Sequence, residues 1–182
     1  MQLLSSTVGA LWSKHFTLPL DIKPPTKSYM HFGDSTFGEM IAGITAYAQS
    51  VGWRDLQSFC KNGARVHQLL DMVSKSEMRD VGVLVITCYG NDLLHPATAQ
   101  ESLTQHVEAL VSMVHAKSRR SSFLIGESSP ALCARQPGYQ EKLANLRSMF
   151  MAQGANVDTM DSFKTLSYKD ALHFDPYQIA KV

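Results

Sequence analysis

The chain has 182 residues, enough for one compact domain and short for two. Its 17 basic and 16 acidic residues leave a formal charge of +1, which excludes the broad basic face that a nucleic-acid partner calls for. Hydrophobic residues make up 45% of the chain, so a core can form without disulfides or metal ions.

In chain order, the N-terminal stretch MQLLSSTVGALWSKHF lacks a basic lead, and Ser5, Ser6 and Thr7 interrupt its apolar residues. It reads poorly as a signal peptide, so the expected location is cytoplasmic. No run is long enough to span a membrane. Pro19, Pro24 and Pro25 mark an extended lead-in, so residues 1–27 read as an N-terminal extension and 28–182 as the domain. Short apolar runs then predict strands at Tyr29–Phe32, Leu56–Cys60, Val81–Cys88, Ser122–Ile125 and Ala155–Met160. The third is nearly continuous and β-branched, as a strand covered on both faces should be.

Between the strands lie helical patterns. The clearest runs from Thr98 to Lys117, where Leu103, Val107, Leu110, Val111 and Val114 make one apolar face. His106 and His115 fall beside or off that stripe and read as surface residues. Lys117, Arg119 and Arg120 sit where this helix should end, a place that favours positive charge in any protein. Gly126, Pro130, Pro137 and Gly138 predict one long loop after the fourth strand. Met149, Phe150 and Met151 read as packing residues on a later helix, and a short closing helix is expected at Pro176–Val182. The three cysteines, Cys60, Cys88 and Cys133, are odd in number and form no CxxC pair. They argue against a disulfide framework or a cysteine zinc site, and Cys88 reads as a core residue.

Strand–helix alternation implies an α/β fold, a five-stranded parallel sheet with helices on both faces. Ligands bind such sheets at the carboxyl ends of the strands. Gly33-Asp34-Ser35 follows the first strand, Asn62-Gly63 the second, and Tyr89-Gly90-Asn91-Asp92 the third, while Asp170-Ala171-Leu172-His173 follows the fifth. These are the parts of nucleophilic acyl transfer. A serine hydroxyl needs an adjacent base, which His173 can supply. Asp170 can hold the tautomer of that imidazole and stabilise its charged form. The N–H of Ser35 at a helix start, the N–H of Gly63 and the side-chain amide of Asn91 can together form an oxyanion hole. His31 reads as a satisfied core or edge histidine rather than a second base.

These blocks, in this order, resemble the SGNH (GDSL-like) hydrolase family over roughly 28–182. Gly33-Asp34-Ser35 matches its nucleophile block, Gly63 its oxyanion glycine, Asn91 its oxyanion asparagine, and Asp170-x-x-His173 its acid–base block. The resemblance implies a flavodoxin-like, three-layer α/β/α sandwich. It also implies cleavage of a small-molecule, lipid or carbohydrate ester through an acyl-enzyme on Ser35, with no cofactor. One departure bears on the pocket. The family's third block usually opens with glycine, and Tyr89 stands there instead. Tyr89 and Asp34 are the candidate pocket residues.

Two other classes compete. A non-catalytic binding module could keep this fold, and a flavodoxin-like protein could bind a nucleotide. The Gly33–Gly38 loop lacks the Walker lysine and the dinucleotide glycine spacing, which argues against a phosphate cradle. Glu127, Asp158 and Asp161 read as solvated or capping carboxylates rather than metal ligands.

A ring at position 89 takes volume that a long acyl chain would use. Tyr89→Gly is therefore expected to raise kcat/KM for octanoyl esters relative to acetyl esters. Measuring both esters with both proteins checks this; an unchanged ratio would place the ring away from the acyl pocket.

Overall fold

The computed structural model describes residues 28–35, 49, 55–77, 81–88, 90–95, 99–118, 120–126 and 130–158. Strands β1 (Ser28–Gly33), β2 (Asp55–Cys60), β3 (Val83–Cys88), β4 (Ser121–Ile125) and β5 (Val157–Asp158) form one parallel sheet in the order β2-β1-β3-β4-β5. All five fall on the apolar runs expected of them. The fifth is only two residues long within the described chain. The ladder of β3 begins at Val83, two residues later than expected, where it first meets Tyr29 of β1. The N-terminal extension and the closing helix lie outside the described residues.

Helices α1 (Val66–Lys75), α2 (Gln100–Lys117), α3 (Pro130–Arg135) and α4 (Tyr139–Ala152) alternate with these strands. No helix among the described residues is long and apolar enough to cross a membrane. The five apolar positions expected to line α2 are all buried. Met30, Phe32, Leu84, Ile86, Phe123 and Ile125, on one face of the sheet, share a core with Leu69 of α1, Leu110 of α2 and Phe150 of α4. The alternate positions Tyr29, His31, Val83, Val85, Thr87 and Leu124 are buried too, so both faces of the sheet are covered.

Several details differ from the sequence reading. The segment after β4 is not one long loop, because it holds α3. Pro130 opens that helix, where its missing N–H costs nothing, and Gly138 at φ +76° leads into α4. Met151 is 54% exposed, whereas Phe150 beside it is fully buried. Lys117 serves the end of a neighbouring helix. Its Nζ donates to the carbonyls of Val73, Ser74 and Ser76 at the C-terminus of α1, at 2.8, 3.3 and 2.9 Å. The surface histidine His106 is half-buried, its ring centroid 5.6 Å from that of His67 on α1.

His31 is a buried core histidine, as the sequence suggested. Its Nδ1 lies 2.9 Å from the Ser58 hydroxyl on β2 and its Nε2 2.9 Å from the Thr87 hydroxyl on β3, so one side chain ties three strands. Burial holds its pKa down at about 3. The unfolded chain takes up that proton near pH 6.5 and the folded protein does not, so stability falls as pH drops through this window, by up to about 1.4 kcal/mol per pH unit. Urea denaturation at pH 7 and pH 5 is therefore expected to show a larger loss for the wild type than for His31→Gln. Equal losses would mean that His31 is not held neutral.

Candidate active site

Three strand ends carry most of the expected site. β1 ends at Gly33, whose carbonyl accepts the Lys61 N–H at 3.0 Å beyond β2. A Cβ on Gly33 would run into the Thr87 hydroxyl and lie 2.8 Å from His31 Nε2. The glycine of Gly-Asp-Ser is thus required by the His31–Thr87 pair packed against it. Asp34 follows, wholly buried, and Ser35 begins a helical segment, half-buried. Asp34 was expected beside a pocket. Its side chain is buried and accepts from the Asn91 amide of another loop.

Beyond β2 the chain turns at once. The Ala64 N–H donates to the Lys61 carbonyl at 3.0 Å, and Gly63 occupies the turn at φ +66°. A Cβ there would meet nothing within 4 Å, so glycine serves the backbone conformation rather than the space. Gly63 is exposed at this edge, open to a ligand.

Beyond β3, Gly90 adopts φ +82° and leads into a short 3-10 helix, Asn91–Leu94. Gly90 is also tightly packed. A Cβ would sit 2.6 Å from the Tyr139 hydroxyl oxygen, and that hydroxyl donates to the Gly90 carbonyl at 3.4 Å.

Asn91 links the three loops. Its Nδ2 donates to Asp34 Oδ2 at 3.0 Å and to the Ala64 carbonyl at 3.1 Å. Both partners are acceptors only, so the nitrogen, not the oxygen, must face them. The amide expected to serve an oxyanion hole therefore lies between the Ser35 loop and the Gly63 turn. In this structure both of its hydrogens have protein acceptors.

The sequence reading named Asp92 in the third block but gave it no role. Its Oδ2 accepts the Val66 N–H at 2.8 Å, capping α1 from another loop. Burial pushes its carboxyl up from the ordinary carboxylate range, and the Val66 N–H opposes that shift. A signal existed: α1 starts after Gly63-Ala64-Arg65, which offers no Ser, Thr, Asp or Asn cap, so its first N–H groups are open to an acceptor from another loop. On its other side Asp92 borders a cavity of about 190 Å³ between the 3-10 helix, α2 and α4, with Gln100, Lys142 and Asn145 on its walls.

Tyr89, Asp170 and His173 lie outside the described residues, as do Glu127 and Asp161. Among the described residues, no three His, Cys, Asp or Glu side chains come together to hold a metal ion.

No protein-family model matches the chain, and no curated protein does. Solved structures do. An acetyl xylan esterase superposes with a TM-score of 0.62 at 13% identity, covering 85% of this chain and 94% of its own. A GDSL-like lipase from Bacteroides thetaiotaomicron gives 0.61 at 13% identity, covering 94% and 93%. A member of the lipolytic G-D-S-L family from Veillonella parvula gives 0.58 at 12% identity, covering 84% and 91%. At such identities the likeness speaks for the backbone and not for individual residues. The strand order, the covered parallel sheet and these superpositions agree that the chain has the SGNH (GDSL-like) hydrolase fold.

Proposed function

We propose that the protein is a serine hydrolase that cleaves carboxylic esters through an acyl-enzyme on Ser35. The observation that carries this reading is the Asn91 amide, which bridges Asp34, next to Ser35, and Ala64, next to Gly63. The Ser35 loop, the Gly63 turn and the Asn91 side chain thus meet at one edge of the sheet, which supports these roles. That similar folds belong to an acetyl xylan esterase and a GDSL-like lipase supports ester chemistry.

In the proposed reaction Ser35 Oγ attacks the ester carbonyl carbon and its proton passes to His173, whose charged form Asp170 stabilises. The carbonyl oxygen becomes an oxyanion facing the N–H groups of Ser35 and Gly63 and the Asn91 amide. As the intermediate collapses, the bond to the leaving alcohol breaks and His173 returns the proton to it. Water then repeats the sequence at the acyl-enzyme, releasing the acid and restoring the Ser35 hydroxyl. The substrate class is a small-molecule, lipid or carbohydrate ester.

A fluorophosphonate probe is expected to label the folded protein, with the label mapping to Ser35. Ser35→Ala should abolish labelling and lower ester turnover by several orders of magnitude. His173→Ala should be about as damaging, since the groups act as a unit. Folded protein that takes no label and hydrolyses no ester would favour a non-catalytic binding module on the same fold.

A further inference from the structure

The Asn91 amide nitrogen carries two hydrogens and serves two acceptors, Asp34 Oδ2 at 3.0 Å and the Ala64 carbonyl at 3.1 Å. These acceptors are not equal. Asp34 is a wholly buried carboxylate, and a charged acceptor binds an N–H more strongly than a neutral carbonyl does. Withdrawing a hydrogen from a buried carboxylate also costs more than withdrawing one from a carbonyl. Only one of the two bonds is therefore easily exchanged. Ala64 follows Gly63 directly, so a hydrogen released from its carbonyl is already beside the Gly63 turn, where a substrate oxygen would sit.

We propose that Asp34 is a positioning residue for the oxyanion hole: its carboxylate keeps one Asn91 amide hydrogen throughout, while the Ala64 carbonyl yields the other to the developing oxyanion. This rests on the acyl-transfer reading of Ser35. Asp34 then touches neither substrate nor reacting atom. It acts by fixing where the amide nitrogen sits and which N–H bond points toward the Gly63 turn. The interaction is needed most when charge has developed, so its loss falls on kcat more than on KM.

The test is a double-mutant cycle with an activated acetyl ester, comparing the wild type, Asp34→Ala, Asn91→Ala, the double variant and Asp34→Asn. Asn91→Ala sets the ceiling, about a hundredfold or more in kcat, the usual cost of one oxyanion donor. Asp34→Ala is expected to lower kcat by about tenfold to a hundredfold with KM changed much less, and the double variant to be no worse than Asn91→Ala alone. Asp34→Asn keeps an acceptor oxygen of the same shape, so it should recover a large part of the loss. In that variant the Asn91 side-chain amide proton should also shift upfield in the NMR spectrum, a readout that needs no turnover and stands in if Asp34→Ala fails to fold. Unchanged kcat in Asp34→Ala, losses that add in the double variant, or an unmoved Asn91 resonance in Asp34→Asn would each overturn the positioning role. A wild type that neither reacts with the fluorophosphonate nor hydrolyses esters would overturn the reading of Ser35 and the positioning role with it. A reactive wild type with additive losses would overturn the positioning role alone.

Discussion

Because β1 pairs in parallel with β2 on one side and β3 on the other, the carboxyl ends of all three strands leave the sheet at one edge, with Gly33 in register with Cys60 and Phe32 with Ile86. The rest of the site depends on this pairing. It brings together loops that are far apart in sequence, the nucleophile block, the Gly63 turn and the Asn91 turn. Parallel strands need crossover connections, and α1, α2 and α4 lie in those that follow β2, β3 and β4.

Placing polar groups at that edge carries a desolvation cost, which paired acceptors and donors offset. His31 lies at the centre of the sheet, yet each ring nitrogen meets a hydroxyl, and the imidazole stays neutral. Asp34 is wholly buried and accepts the Asn91 amide. Asp92 is nearly so and accepts the first N–H of α1. The two carboxylates hold the Asn91 turn from opposite ends. One ties it to the nucleophile loop and the other to the helix that follows the Gly63 turn. Under the proposed function, groups held this way would meet an oxyanion already oriented, as its electrostatic stabilisation requires.

The glycines of the site show the same division of labour. Gly63 is glycine because its backbone is left-handed and open, Gly33 because a side chain would strike His31 and Thr87, and Gly90 for both reasons, since it is left-handed and packed under Tyr139.

The sequence by itself determined what repeats locally. The period of Leu103, Val107, Leu110, Val111 and Val114 defined α2, and the apolar runs marked each strand to within a few residues. Polar and glycine-rich blocks after those strands marked the edge where a site would form. Local periodicity does not record how one segment meets another, and those meetings were decided by the tertiary structure. Asn91 reaches Asp34 across 57 positions and Val66 reaches Asp92 across 26, while Lys117 caps carbonyls more than 40 positions earlier. The helix in the segment after β4 was hidden for a related reason, since proline opens a helix as readily as it breaks one and only the surrounding contacts decide which. Sequence thus placed the chemically capable residues at strand ends. The packing of strand on strand decided that Asp34 is buried and bonded to Asn91, because burial and hydrogen-bond partners are properties of the assembled fold.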